Sequence, residues 1–149
     1  MFVCVVKPLF VGLDCRHHIS VIKHLRKKEN VDNPENLRSI IAGLEAVHRE
    51  YSLPIIFPMH PRTRKMVEQF GIPLDGISAM NPVGFLEFLQ LESNARLVLT
   101  DSGGVQEEAC ILGVPCVTLR ENTERPETIE VGANILAGTG AWEILASAR

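Results

Sequence analysis

The sequence has little excess charge of either sign. It contains 15 lysines and arginines against 18 aspartates and glutamates, which gives a formal net charge of -3 at pH 7. Proteins whose principal partner is nucleic acid or an anionic membrane usually carry a broad basic surface. The charge balance therefore argues against both as partners, and any phosphate group would be held locally by a few residues.

Paired cysteines and long hydrophobic runs are also absent from the sequence. The apolar stretch Met1–Val6 is interrupted by Lys7 and Pro8, so it is shorter than a signal-peptide core or a membrane span. No C-x-x-C pair and no cysteine–histidine spacing suited to zinc occurs among Cys4, Cys15, Cys110 and Cys116. We therefore expect a cytoplasmic protein that uses neither a metal nor another cofactor.

The sequence does contain enough hydrophobic residues to form the core of one domain. With 149 residues and 46% hydrophobic content, the chain can close a single α/β domain around a core but has little left for a second. Residues 1–25 show scattered charge and no clean period, so they stay an unassigned amino-terminal arm. The domain is expected to cover residues 26–149.

From Asn33 onward, helical and strand patterns alternate along the chain. Asn33 can cap a helix whose first position is Pro34. The predicted elements are a helix to about Tyr51, a strand at 53–59, a helix at 62–70, a strand at 76–79, a helix with Phe85, Leu86, Phe88 and Leu89 apolar, a strand at 96–100, a helix at 105–112 and a strand at 114–119. This alternation predicts a Rossmann-like, doubly wound parallel sheet in a three-layer α/β/α arrangement.

Ligands of such sheets bind outside the carboxyl ends of the strands, and three segments lie there: 60–62, 101–104 and 120–127. The second, Asp101-Ser102-Gly103-Gly104, follows a strand and opens a helix, so its backbone N–H groups could bind an anion. Two glycines would let an oxygen-rich group approach the backbone, and the Ser102 hydroxyl adds a donor. A tight turn in which Asp101 or Ser102 merely caps the helix is an equal alternative.

Acidic residues follow this turn on the same helix. Glu108, about one turn further from the phosphate, could accept hydrogen bonds from both hydroxyls of a ribose. The plainer explanation for Glu107 and Glu108 is that the helix dipole favours negative charge near its amino terminus.

The third segment carries a dense group of charges after a buried strand. If the strand order places it beside the Ser-Gly-Gly turn, Arg120 and Arg125 could neutralise a diphosphate, with Glu124 or Glu127 orienting an arginine. A solvated surface loop is the alternative. In the first segment, His60 is as readily explained by packing or capping as by ligand binding.

Two segments together resemble the signatures of the non-hydrolysing UDP-N-acetylglucosamine 2-epimerases: residues 99–108 and residues 123–127. The resemblance covers about residues 26–140 and includes 29–33, 57–61, 113–115, Arg120, Gly132 and Asn134. That family pairs two Rossmann-like domains across a cleft, similar to the GT-B glycosyltransferases, and holds UDP mainly in the carboxyl-terminal domain. The chain resembles that domain alone.

The resemblance also implies roles for individual residues. Ser102 and Gly103, with Gly104 beside them, would bind the diphosphate, Glu108 the ribose, Phe88 the uracil through its backbone, and Arg125 would assist near the phosphates. His60, with Arg62 close by, is similar to the histidine at which bacterial members receive a second, regulatory UDP-N-acetylglucosamine. The implied ligand is a UDP-sugar.

The implied reaction interconverts UDP-N-acetylglucosamine and UDP-N-acetylmannosamine by eliminating UDP and adding it back. Most acid and base groups of the family lie in the amino-terminal domain, so this chain is expected to supply the UDP-binding half and to be inactive alone. Arg26 stands where a histidine of the family motif is expected. A separate amino-terminal half or a homo-oligomer would be its partner. The alternatives are a GT-B glycosyltransferase domain and a non-catalytic remnant that binds another protein.

Overall fold

The computed structural model describes residues 19–23, 25 and 27–149 of the chain. Strands and helices alternate through this part. The strands are β1 (Ile19–Lys23), β2 (Ile55–Pro58), β3 (Ile77–Met80), β4 (Ala95–Thr100), β5 (Cys116–Thr118) and β6 (Asn134–Leu136). The helices are α1 (Lys28–Val31), α2 (Pro34–Tyr51), α3 (Pro61–Gln69), α4 (Phe85–Ser93), α5 (Gly103–Leu112), α6 (Pro126–Glu130) and α7 (Ala141–Ser147).

The six strands form one sheet in the order β3-β2-β1-β4-β5-β6, and every neighbouring pair is parallel. The strand order therefore reverses between β1 and β4. This is the order of a Rossmann sheet, in which ligands bind where the order reverses, at the carboxyl ends of the strands. The predicted doubly wound α/β fold is confirmed.

The assignment of residues 1–25 to an arm is corrected by β1. Residues 19–23 pair with β2 on one side and β4 on the other, with Ile22 opposite Leu99. The sequence did not reveal this strand because a central parallel strand usually reads as a continuous apolar run, and here Ser20 and Lys23 interrupt it. The strand is recognised only from its pairing with β2 and β4, which are distant in the sequence. Residues 1–18 lie outside the described part.

Buried side chains cover both faces of the sheet, which gives the three layers. Successive residues of a strand point to opposite faces, so Ile56 packs on one side and its neighbours Ile55 and Phe57 on the other. Helices α2, α3 and α7 contribute to the cluster on one face, and α4 and α5 to the cluster on the other. Because all the strands are parallel, α4 and α5 both begin at the carboxyl edge of the sheet.

Helix α2 begins where the sequence predicted, after the N-cap residue Asn33. The Asn33 side chain accepts hydrogen bonds from the N–H groups of Glu35 (2.9 Å) and Asn36 (3.3 Å), and Pro34 occupies the first helical turn. Farther along, α2 packs closely on α7, because a Cβ at Gly43 would lie 3.0 Å from Cβ of Ile144.

Helix α4 differs from its predicted apolar face. Phe88 and Leu91 are buried against the sheet, whereas Phe85 is 61% exposed and Leu86 73% exposed. A helix of nine residues has only two or three positions that can face the sheet, so the apolar pattern overstated its buried face.

Within the ranges described above, no helix combines the length and apolar character needed to span a bilayer.

Candidate functional site

The link between β4 and α5 forms a sharp corner at the carboxyl edge of the sheet. Strand β4 ends at Thr100 and α5 begins at Gly103, with Ser102 as the N-cap residue. The Ser102 side chain makes no capping hydrogen bond to any described residue. The first amides of α5 are therefore not satisfied by their own N-cap, and the positive end of a ten-residue helix faces outward.

Asp101 serves a different purpose in this corner. Its side chain is 1% exposed, and its Oδ2 accepts a hydrogen bond from the N–H of Lys27 at 2.9 Å. It thereby fixes the segment that leads into α1 against the end of β4. Within the described residues, the Ser102 hydroxyl does not cap α5, although Ser102 occupies the N-cap position.

The two glycines leave open space over these amides. A Cβ at Gly104 would meet no atom of the described residues within 4 Å, and one at Gly103 would lie 3.5 Å from Oε2 of Glu124 and 3.6 Å from Cγ of Arg125. Neither glycine has a positive φ. Since neither crowding nor backbone strain requires glycine here, the physical consequence of its presence is access to the backbone N–H groups.

The loop of residues 120–125 lies beside this corner, as the site hypothesis required. Arg125 reaches across to α5, where its Nε is 2.8 Å from Oε1 of Glu107. Its terminal nitrogen also donates to the carbonyl oxygen of Glu124 at 2.9 Å. Glu107 therefore does more than satisfy the helix dipole, because it holds a guanidinium next to Gly103.

A second arginine of this loop, Arg120, is buried and is bonded to side chains of the same loop. Arg120 is 8% exposed and donates to Oε1 of Glu124 (3.1 Å) and to Oδ1 of Asn122 (2.9 Å). The hydrogen bond with Glu124 raises the pKa of Arg120, and the same bond lowers the pKa of Glu124 below its usual value. The expectation that Glu124 or Glu127 orients an arginine is met by Glu124 and Arg120.

Glu108 lies on α5, five residues beyond Gly103. A rise of about 1.5 Å per residue places it about 7.5 Å along the helix axis from the corner. Its side chain is neither buried nor fully exposed. A vicinal diol next to a bound phosphate would be within reach of a carboxylate at such a position.

Beneath the loop lies a cluster of polar side chains, here called the Gln106 cluster. It consists of the buried Gln106, Thr118, Thr128 and Asn134 and the half-buried Thr123. Oε1 of Gln106 accepts from the Thr123 hydroxyl (2.5 Å) and from Nδ2 of Asn134 (3.3 Å). Asn134 also accepts from the Thr118 hydroxyl at 2.8 Å and donates to Oγ1 of Thr128 at 3.1 Å. Sequence reasoning gave these residues no role. The signal that the sequence offered was the resemblance, which includes Gln106, Thr123 and Asn134 without giving them individual roles.

His60 and Arg62 lie apart from the corner. His60 is the exposed N-cap of α3, and its Nδ1 accepts from the N–H of Arg62 at 3.2 Å. The Arg62 guanidinium pairs with Asp32, with Nε 3.2 Å from Oδ1. His60 follows β2, which β1 separates from β4, so two strand spacings of about 4.8 Å each lie between the two places. The capping role of His60 is thus present in the structure.

The other expected site residues fall in two classes. Phe88 is 3% exposed and packs in the core, so a ligand at this end of α4 could meet its backbone but not its ring. Arg26 lies outside the described residues. Across the described ranges, no three His, Cys, Asp or Glu side chains are grouped so that they could hold a metal ion.

A cavity of about 580 Å³ opens at the opposite, amino edge of the sheet, and its lining includes Arg96, Pro115 and Ala133. Among the described residues that line it are Arg96 and Arg149, but no group of charged side chains around a helix amino terminus. The chemistry described above lies entirely at the carboxyl edge.

Known proteins resemble this chain in sequence over most of its length. The family model described as UDP-N-acetylglucosamine 2-epimerase matches residues 15–149. A UDP-N-acetylglucosamine 2-epimerase of Methanocaldococcus jannaschii is 57% identical over 126 residues, which are 81% of this chain and 34% of that protein. A UDP-2,3-diacetamido-2,3-dideoxy-D-glucuronate 2-epimerase of Pseudomonas aeruginosa is 43% identical over 129 residues, or 87% of this chain and 36% of that protein.

Solved structures show the same likeness. The crystal structure of the M. jannaschii UDP-GlcNAc 2-epimerase in complex with UDP-GlcNAc and UDP superposes with a TM-score of 0.80 at 49% identity, covering 89% of this chain and 37% of that one. The chain thus spans about a third of the length of the relatives that it matches. The match over most of its residues, together with the fold and the glycine corner, shows that this chain belongs to the UDP-N-acetylglucosamine 2-epimerase family.

Proposed function

We propose that the corner formed by Ser102, Gly103 and Gly104 binds the diphosphate of a UDP-sugar. The observation that carries the proposal is the open amino terminus of α5, which two glycines leave accessible while Arg125 stands beside it. Backbone N–H groups at a helix amino terminus and a guanidinium are the donors that bind phosphate in proteins. The relative crystallised with UDP-GlcNAc and UDP supports the same ligand class.

The remaining contacts follow from the same geometry. Glu108 would accept hydrogen bonds from the ribose hydroxyls, because it lies one helical turn beyond the diphosphate. The uracil would lie against the backbone of α4 near Phe88, since α4 packs beside α5 and begins at the same edge. The exposed Phe85 at the start of α4 is close to that position.

In the proposed reaction, this half contributes to the departure and return of UDP. UDP-N-acetylglucosamine would lose UDP by elimination, and UDP would add back to give UDP-N-acetylmannosamine. Negative charge develops on the diphosphate as the bond to the sugar breaks. Fixed N–H dipoles and Arg125 stabilise that charge without having to reorganise, which lowers the barrier.

A complete site requires a second domain in this proposal. Proton transfer at C2 of the sugar needs an acid and a base with tuned pKa values on opposite faces, and the corner offers donors rather than such a pair. A separate amino-terminal half or a partner copy would supply them, and the 149-residue chain alone would be inactive. The nucleotide-binding domain would include β1 as well as residues 26–149, and its location would be the cytoplasm.

The segment around His60 would form a separate site. We assign His60 and Arg62 to a regulatory or substrate position for a second UDP-sugar. Both lie at the carboxyl edge of the sheet beyond β1, and His60 is exposed there.

UDP binding by the 149-residue chain tests the first part of the proposal. Calorimetry should show binding of UDP and much weaker binding of uridine, which has no phosphate. Arg125→Ala should weaken UDP binding by about tenfold or more, because a charge-assisted hydrogen bond contributes about 1.5–3 kcal/mol. Arg96→Ala is the matched control, since this exposed arginine lies at the opposite edge of the sheet. Equal losses in the two variants, or no binding of UDP by the unsubstituted chain, would contradict the assignment.

Hydrogen exchange at C2 tests the second part. The chain should be mixed in deuterated water with the amino-terminal half of a relative such as the M. jannaschii epimerase and with UDP-N-acetylglucosamine. Deuterium should enter C2 only in the complete mixture. Exchange by the 149-residue chain alone would show that it does not depend on a second half.

A further inference from the structure

We propose that the Gln106 cluster is a positioning device that holds Arg125 over the phosphate corner, so that its hydrogen bonds set the affinity for the UDP-sugar. The inference rests on the proposed function of the corner. It assigns to Gln106, Thr123, Thr128 and Asn134 a purpose beyond the stability that buried hydrogen bonds provide.

The backbone of Arg125 is held on both sides by members of the cluster. Its N–H donates to Oγ1 of Thr123 at 3.0 Å, and its carbonyl oxygen accepts from Oγ1 of Thr128 at 2.7 Å. Both peptide groups that flank the Arg125 Cα are therefore fixed by threonine hydroxyls. Rotation of the backbone at this residue requires at least one of these bonds to break, and the guanidinium is held separately by Glu107 and by the carbonyl oxygen of Glu124.

Each of the two threonines is in turn attached to the buried amides. The Thr123 hydroxyl donates to Oε1 of Gln106, and Thr128 accepts from Nδ2 of Asn134. Gln106 is 0% exposed and Asn134 is 2% exposed, so neither amide can exchange its partners for water without opening the core. The loop is thereby connected to α5 and to the first residue of β6.

The position of Gln106 on α5 places the anchor of the loop close to the proposed phosphate-binding amides. Gln106 lies in the first turns of the helix, three residues after Gly103 and next to Glu107, whose carboxylate holds the Arg125 guanidinium. The same short helix segment thus provides the phosphate-binding amides, the anchor for the loop backbone and the carboxylate that orients the guanidinium. A loop with these attachments presents Arg125 to a diphosphate with little loss of conformational freedom on binding.

A double-mutant cycle separates positioning from stability. Thr123→Val removes the hydroxyl that binds both Gln106 and the Arg125 N–H while keeping the side-chain shape, and it should weaken UDP binding by about tenfold. Thr123→Ser keeps the hydroxyl and should bind UDP within about twofold of the unsubstituted chain. In the Arg125→Ala background, Thr123→Val should cause no further loss, because the group that it positions has gone.

A control variant accounts for any loss of stability. Ile144→Val removes one methylene from the core between α2 and α7, on the face of the sheet opposite α5, and should lower the melting temperature without changing UDP affinity. Amide hydrogen exchange in the absence of ligand gives an independent measure. The Arg125 amide should be protected in the unsubstituted chain and should exchange at least about tenfold faster in Thr123→Val.

The outcomes distinguish this inference from the proposed function. Failure of the unsubstituted chain to bind UDP would overturn the proposed function and, with it, the positioning of Arg125 for a UDP-sugar. If UDP binds, normal affinity in Thr123→Val would overturn the positioning alone. An equal loss from Thr123→Val with and without Arg125 would do the same, because the threonine would then act independently of the arginine.

Discussion

Replacing Gly104 by alanine should change stability and ligand binding in opposite directions. In the free chain a Cβ at this position meets no described atom within 4 Å, and the backbone of Gly104 does not have a positive φ. Alanine therefore fits, and it should stabilise α5 by about 0.5 kcal/mol because it loses less conformational entropy on folding than glycine. For a chain of this length, that corresponds to a rise in melting temperature of about 1–2 °C.

The same methyl group should interfere with a bound diphosphate. The Cα–Cβ bond of a helical residue tilts toward the amino terminus of its helix, which at Gly104 is the side of the phosphate corner. Displacing the ligand from one backbone N–H would remove a charge-assisted hydrogen bond of about 1.5–3 kcal/mol, or about 10- to 100-fold in the dissociation constant for UDP. Thermal unfolding and calorimetry on the same preparation measure both effects.

Gly113→Ala is the matched control at the other end of α5. Gly113 has a φ of 70°, which disfavours any residue with a Cβ, so alanine should lower the melting temperature while UDP affinity stays unchanged. If Gly104→Ala bound UDP as tightly as the unsubstituted chain, the amides of this corner would not be the phosphate-binding groups.

Three further outcomes are expected. Glu108→Ala should weaken binding of UDP more than binding of dUDP, because only UDP offers the 2′-hydroxyl, and equal losses in a competition assay would contradict the ribose assignment. Gly43→Ala should destabilise the fold by about 1–3 kcal/mol in urea unfolding, since the added Cβ lies 3.0 Å from Ile144, and Ile144→Val should recover part of the loss. Burial raises the pKa of the Cys116 thiol from its ordinary 9.0 to about 12, so at pH 9 the folded chain should alkylate at the half-exposed Cys110 and not at Cys116; equal labelling by mass spectrometry would refute this.

Features that depend on neighbouring residues could be predicted from the sequence. The N-cap of α2 at Asn33 follows from a side chain that bonds amides two and three residues away, and the alternation of elements follows from apolar spacing. The accessible helix terminus at Ser102-Gly103-Gly104 was also predictable, because a glycine-rich turn between a strand and a helix exposes backbone N–H groups, but the sequence left helix capping as an equal alternative.

Features that depend on distant pairing could not be predicted in this way. Strand β1 is defined by its two neighbours in the sheet, about 35 and 75 residues away along the chain, and its own sequence is a weak strand signal. Gln106 and Asn134 meet across 28 positions, and nothing in their separate surroundings indicates that they share a hydrogen bond. The exposure of Phe85 and Leu86 likewise depends on how α4 lies against the sheet.

The most direct test of the central claim is titration of the isotopically labelled chain with UDP, followed by NMR of its backbone amides. If the phosphates bind where α5 begins, the amide resonances of Ser102, Gly103 and Gly104 should shift most as UDP saturates the chain. Shifts concentrated around Arg96 and Ala133, at the cavity on the amino edge of the sheet, would contradict the account.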